Sequence, residues 1–251
     1  MNKLLSMLAI TAVFPFSALA GADFVEGDKT FAGEAELGGT LTTGNSESSS
    51  IKARLSMKHE LGNWENNYLL EALYNENTDS DDGSTTENES YQAGFQGNYR
   101  FDARNYTFAN ANYYRDPSTG YDYTLTASAG YGYRAYETEA TFLDLEVGPG
   151  YLYQKLTNEE AALQGVSSED SVVAHGVVNF ESKISDNSTF KQRFVADYGD
   201  KLLARSETSL TANIIGALAM KLSFVVRYDE KPLDGKKSTD TETNMTLLYA
   251  F

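Results

Sequence analysis

The chain contains no cysteine. That excludes disulfides, thiolate metal sites, a cysteine nucleophile and a lipoprotein anchor. Two histidines, His59 and His175, leave little for a histidine metal site. Bases are also scarce: 20 Lys and Arg against 36 Asp and Glu give a formal charge of −16. Such a balance argues against a nucleic-acid partner, because counterion release needs a basic face. Prolines number only 4 in 251 residues. No Gly-rich phosphate motif precedes a helix, so no organic cofactor is expected. Beyond the first 20 residues no stretch approaches the roughly 18 apolar residues of a spanning helix. The mean hydropathy is −0.42. A membrane β-barrel survives all these exclusions, because its lipid-facing and lumen-facing residues alternate and average out. What the chain does have is 17 Tyr, 13 Phe and 20 Gly, a composition that suits pleated surfaces.

Residues 1–20 place Lys3 before an apolar run from Leu4 to Phe16 that ends in Ala18-Leu19-Ala20. This is the pattern of a secretory signal peptide cleaved after Ala20, with an apolar core too short for a membrane anchor. Residues 21–29 are then expected as a short periplasmic segment, and 30–251 as one domain.

Period-two alternation runs through that domain. Ile51, Ala53, Leu55, Met57, His59 and Leu61 share one face, and Lys52, Arg54, Ser56, Lys58 and Glu60 the other. Residues 121–133 and 240–251 repeat the pattern. Twelve strands are expected, near 30–41, 48–61, 64–76, 89–101, 106–115, 121–135, 141–155, 171–184, 189–199, 206–218, 221–230 and 240–251. Most exceed the ~5–6 residues of soluble strands and match the ~9–11 that cross a bilayer. Alternate connections are tight, as at Gly62-Asn63, and the others are longer and polar. Aromatics gather at strand ends: Trp64, Phe101, Phe190 and Phe251 at the tight turns, and Tyr74, Tyr91, Tyr121, Tyr123, Tyr151, Tyr153, Tyr198 and Tyr228 toward the long loops. The expected fold is all-β, a transmembrane antiparallel up-and-down barrel of the Gram-negative outer membrane. Both termini would be periplasmic and two aromatic girdles would sit at headgroup level.

Met245, Leu247, Tyr249 and Phe251 form an apolar ladder ending in a terminal Phe. This is similar to the C-terminal assembly signal of outer-membrane barrels, which makes the barrel-assembly machinery an expected partner beside outer-membrane lipids and lipopolysaccharide. Several further motifs carry a wider resemblance: Gly44-Asn45-Ser46, Gly120-Tyr121-Asp122-Tyr123 with Gly130-Tyr131-Gly132-Tyr133, Glu146-Val147-Gly148-Pro149-Gly150-Tyr151, and Arg227-Tyr228-Asp229-Glu230-Lys231-Pro232. In their order over most of 30–251, they resemble the salt-induced outer-membrane protein family (YdiY-like). The resemblance implies an outer-membrane location and a link to salt stress; it brings no catalytic residues. Local chemistry accounts for part of these motifs. Lumen-facing Gly130, Gly132, Gly148 and Gly150 make room for large side chains, and Pro149 predicts a bulge or pairing gap.

The alternation aims Glu34, Glu36, Lys52, Arg54, Lys58, Glu65, Glu71, Arg100, Asp122, Arg134, Asp144, Glu146, Lys191, Arg193, Asp197, Arg227, Asp229 and Glu242 into the lumen. Two readings follow. The lumen is a narrow channel for ions or small solutes, with charged rings setting selectivity, or it is closed by salt bridges as a structural barrel. Two alternatives stand beside these. A lipid-acting hydrolase would use outward His59 opposite Asn66, but the adjoining first strand offers no Ser. A receptor or adhesion barrel would act through its acidic loops. Asp79, Asp81 and Asp82 offer oxygen ligands to Ca²⁺ or Mg²⁺, but Gly83 misses the EF-hand position, and a solvated acidic loop is the preferred reading.

Overall fold

The computed structural model describes residues 30–43, 48–78 and 85–251. The expected leader at 1–20, the expected segment 21–29, Gly44-Asn45-Ser46 and the candidate cation ligands Asp79, Asp81 and Asp82 lie outside the described residues. Twelve strands follow one another in the order β1 (Phe31–Thr43), β2 (Ser48–Leu61), β3 (Trp64–Thr78), β4 (Thr85–Arg100), β5 (Asn105–Asp116), β6 (Tyr121–Glu137), β7 (Thr141–Leu156), β8 (Ser168–Ser185), β9 (Ser188–Tyr198), β10 (Leu202–Ile215), β11 (Leu218–Asp229) and β12 (Thr239–Ala250). Each pairs antiparallel with its chain neighbours, and β1 pairs with β12 to close the barrel. A closed ring leaves no edge strand unpaired.

The alternation in the sequence becomes the two faces of this wall. Leu37, Ile51, Leu70, Val147, Leu222, Met245 and Leu247 are exposed on the outside. Lys52, Glu71, Glu207, Asn244 and Thr246 are buried on the inside. The arrangement inverts that of a soluble protein and suits a wall solvated by lipid, in which backbone groups are bonded to neighbouring strands. The strands run from 11 residues in β9 to 18 in β8, long enough to cross a hydrocarbon core while tilted.

One end of the barrel carries short turns. Gly62 and Gly216 open two of them with φ of 60° and 55°, a left-handed conformation that costs glycine nothing. In the turn between β4 and β5, Asp102 Oδ1 accepts from the backbone N–H groups of Arg104 and Asn105, both at 2.8 Å. Its carboxyl also accepts from the Asn105 side chain. These bonds hold the Asp102 carboxyl below the usual aspartate range, the Asn105 side chain contributing most.

The same end holds the seam. Gly33 and Phe251 exchange backbone hydrogen bonds of 2.8 Å. The Phe251 ring lies over Gly33, where a Cβ would collide with it, and 6.3 Å from the Phe31 ring. Trp64, Tyr99 and Phe101 stack edge to face nearby, with centroids 5.2 and 5.6 Å apart. Aromatics also occur mid-strand, as in the Tyr68–Phe95 pair at 5.3 Å, so the girdles are less sharply drawn than the sequence suggests.

The other end carries the larger loops. The connection after β7 holds a short helix, α1 (Asn158–Gln164), which the sequence reading leaves as loop. Thr157 caps it, accepting from Glu160 N–H at 3.4 Å. Tyr121, Leu156 and Leu233 form a small apolar cluster there, with Ala161 packed against it. Three loops are tied together by this cluster.

Two departures from the expected register matter. Tyr121 is expected outside and is buried inside, while Asp122 is expected in the lumen and is not. The β6 pairing shifts by one residue between Tyr121 and Tyr123 on the β7 side. This bulge turns Asp122 out to a salt bridge of 3.4 Å with Arg115, with 45 % of its side chain exposed. Strand β10 also starts earlier than expected, at Leu202 rather than 206, which brings Arg205 into the wall.

Candidate functional site

A cavity of about 850 Å³ lies in the lumen. Its lining reaches from Gly62, Asn63 and Trp64 at the tight-turn end to Thr119, Pro232 and Lys236 at the loop end. It therefore extends along the whole barrel axis. Its lining contains 11 of the chain's 20 Lys and Arg but only 10 of its 36 Asp and Glu. The cavity lining is thus close to charge balance in a strongly acidic molecule.

Part of the lumen is bound up in a charged network on β10, β11, β12, β1, β2 and β3. Lys52, 2 % exposed, bridges Glu242 and Glu71, the latter at 3.1 Å. Lys221 Nζ donates to Glu36 at 2.9 Å, and Arg227 Nη1 donates to Glu242 at 2.8 Å. Arg54 Nη1 donates to Glu207 at 2.7 Å and lies 3.6 Å from Glu71. Strands β2 and β10 are four places apart in the ring, so the Arg54–Glu207 pair is a chord across the lumen. The Arg227 guanidinium reaches further: it sits 5.0 Å above the Tyr114 ring, on the strand diametrically opposite. Each carboxylate in this network is shared by at least two cations. That arrangement compensates the cost of burying charge.

The opposite wall is built differently. Tyr106 lies over Gly132, where an added Cβ would collide with its ring. Phe108 pairs with Gly130, and His175 with Gly148. The Phe108 and His175 rings lie 5.9 Å apart, and all three rings are buried, at 4, 2 and 6 % exposure. Gly130 and Gly148 have a second reason to be glycine: the β6 and β7 backbones approach so closely there that a Cβ on either would strike the other strand. Around Pro149 the β6–β7 ladder lacks the Ala129–Pro149 and Gly130–Gly148 pairs, while β7 stays paired with β8. Proline has no N–H to contribute.

Smaller networks fix the remaining charges. Glu65 accepts from Arg100 at 2.5 Å and lies 3.4 Å from Lys58, near the tight turns. Arg134 grips Asp144 through two bonds of 2.7 and 2.8 Å. Glu146 accepts from Tyr106 Oη at 2.9 Å and from Gln96 at 2.8 Å. His175 Nδ1 lies 2.7 Å from Asp197 and its Nε2 3.2 Å from Asn110. Lys191 pairs with Glu181 at 3.2 Å, and Asp229 with Lys201 at 2.9 Å. Glu34 and Arg193 line the cavity.

The structure thus places the inward charges named from the sequence on the lumen side, apart from Asp122. Three central members of the network, Arg205, Glu207 and Lys221, are absent from that set. Their signal was available: Arg205, Glu207, Ser209 and Thr211 alternate with Ser206, Thr208 and Leu210. Outside the barrel, His59 does face Asn66 across β2 and β3. Their cross-strand neighbours are Phe31 and Gly97, so neither flanking position supplies a hydroxyl nucleophile.

Comparison with known proteins places this geometry. A NanC porin superposes with a TM-score of 0.55 at 8 % identity, over 86 % of this chain and 98 % of that one. An outer membrane channel of Pseudomonas putida F1 gives 0.49 at 8 % identity, over 88 % and 94 %. The first likeness shows the fold, an outer-membrane-type barrel. In sequence, the chain is 24 % identical over 223 residues to the Escherichia coli (strain K12) protein "Uncharacterized protein YdiY", covering 88 % of this chain and 84 % of that protein. Residues 35–251 match the family described as "Protein of unknown function, DUF481", and with nearly the whole barrel inside that match the chain belongs to this family.

Proposed function

We propose that the protein is a non-enzymatic diffusion channel of the outer membrane, passing ions and small hydrophilic solutes along its lumen. The observation that carries this reading is the cavity of about 850 Å³ lined from one end of the barrel to the other. The tight-turn end, with Phe31 and Phe251, faces the periplasm, and the loops face outward. The charged network on β10 to β3 narrows the bore without filling it. On the other side Tyr106 packs down over Gly132, and Phe108 and His175 are buried in the wall. Transport of this kind needs no bond-making residue. The lumen supplies a wet, charged path through hydrocarbon, and opposed charges orient what passes.

Liposome swelling tests the reading. Vesicles carrying the folded barrel should swell in isotonic glycerol and arabinose well above protein-free vesicles, with rates falling as solute size rises. Swelling equal to the protein-free control would overturn it.

A further inference from the structure

The lumen contains arginines that its carboxylates do not satisfy. Arg193 of β9 lines the cavity and makes no ion pair among the described residues. Arg205 lies on the neighbouring strand β10, two residues from Glu207, the cross-strand partner of Arg193. Arg205 Nη2 is 2.9 Å from Glu207 Oε2, yet its Nε and Nη2 are buried and make no hydrogen bond. Arg205 also stands directly opposite Arg227 of β11, a like-charge cross-strand pair. Such a pair is destabilising unless something negative compensates it. Glu207 is already drawn to Arg54 at 2.7 Å, and Glu242, which holds Arg227 at 2.8 Å, is shared with Lys52. Three successive strands therefore present an arginine each, and Arg193, Arg205 and Arg227 all line the cavity of about 850 Å³.

We propose that Arg193 and Arg205 form an anion-binding site in the channel wall that takes the carboxylate of a small hydroxylated organic acid. This rests on the channel reading and names the solute class. A guanidinium presents paired N–H donors in a plane that matches a carboxylate, and it stays charged at any physiological pH. The facing wall accounts for the hydroxyls. Strand β4 stands six places from β10 in the ring, directly across the bore, and its Gln92, Gln96 and Asn98 line the same cavity, with Asn67 of β3 beside them. Each side-chain amide both donates and accepts, as a hydroxyl does. The cation and the amides thus flank one space, so a solute bearing an acid group and hydroxyls meets complementary groups on both sides.

Calorimetry on the detergent-folded full chain reads the site without conduction, using sodium gluconate as the anionic probe and sorbitol as its neutral counterpart. The wild type should bind gluconate, and sorbitol at least tenfold more weakly. Arg193→Gln should weaken gluconate binding at least fivefold and leave the heat-modifiable folded band on gels unchanged. Arg193→Lys should recover part of the loss. Equal gluconate affinity in wild type and Arg193→Gln would overturn the proposal, as would equal affinity for gluconate and sorbitol. In planar bilayers the same substitution should lower the chloride-over-sodium permeability ratio at least twofold. If the folded barrel binds gluconate through Arg193 but passes no current, the channel reading fails and the anion site stands. If it conducts with no Arg193 dependence in either assay, the site fails and the channel stands.

Discussion

A Leu125→Arg variant should lose about 2 kcal/mol or more of unfolding free energy in lipid vesicles, while Thr126→Arg should lose far less. A lipid-facing arginine in a barrel costs roughly 2–4 kcal/mol near the bilayer midplane, less toward the interfaces, whereas a lumen position keeps the charge in water. The two residues are consecutive on β6, so propensity and strand position hardly differ. Leu125 is 42 % exposed on the outer wall, between Tyr113 of β5 and Tyr153 of β7. Thr126 lines the cavity. Reversible urea unfolding in vesicles, followed by tryptophan fluorescence, measures both. Equal losses would mean that this wall does not face lipid.

The second large effect belongs to Glu207. Its carboxylate holds Arg54 across the bore at 2.7 Å and lies 2.9 Å from Arg205. Glu207→Gln should cost about 3 kcal/mol, in the range for breaking a buried ion pair and leaving its partner uncompensated. Adding Arg54→Met should cost clearly less than the two single losses summed, because the stranded cation is then gone. The functional change runs the other way. Severing the chord between β2 and β10 should raise single-channel conductance and shift preference toward anions. A variant with unchanged conductance would show that the chord does not narrow the path.

How much of this could be read from residues alone divides along physical lines. Strand number and facing were legible because side chains of a half-lipid, half-water wall must alternate with period two, as in Ile51 to Leu61. The bulge at Tyr121–Tyr123 was not. Tyr121-Asp122-Tyr123 continues the apolar–polar alternation without a break, and only the packing of Tyr121 against Leu156 and Leu233 turns the pattern over. The inward direction of Arg54 was legible, but its bond to Glu207 was not. That partner lies 153 residues away and is set by how the closed ring staggers its strands. Glycines 130, 132 and 148 could be read as making room. That Tyr106 fills the space over Gly132, and that Gly130 and Gly148 let two backbones approach, needed the three-dimensional register. Arg205 was lost to a boundary placed four residues late, where Leu202 and Leu203 looked like the end of a loop.

Single-channel conductance of the folded wild-type protein in a planar bilayer, with a salt gradient across it, tests the central claim most directly. Discrete and reproducible current steps are predicted, with a reversal potential whose sign reports an anion preference. A verified folded barrel that inserts and passes no current would contradict a conducting lumen.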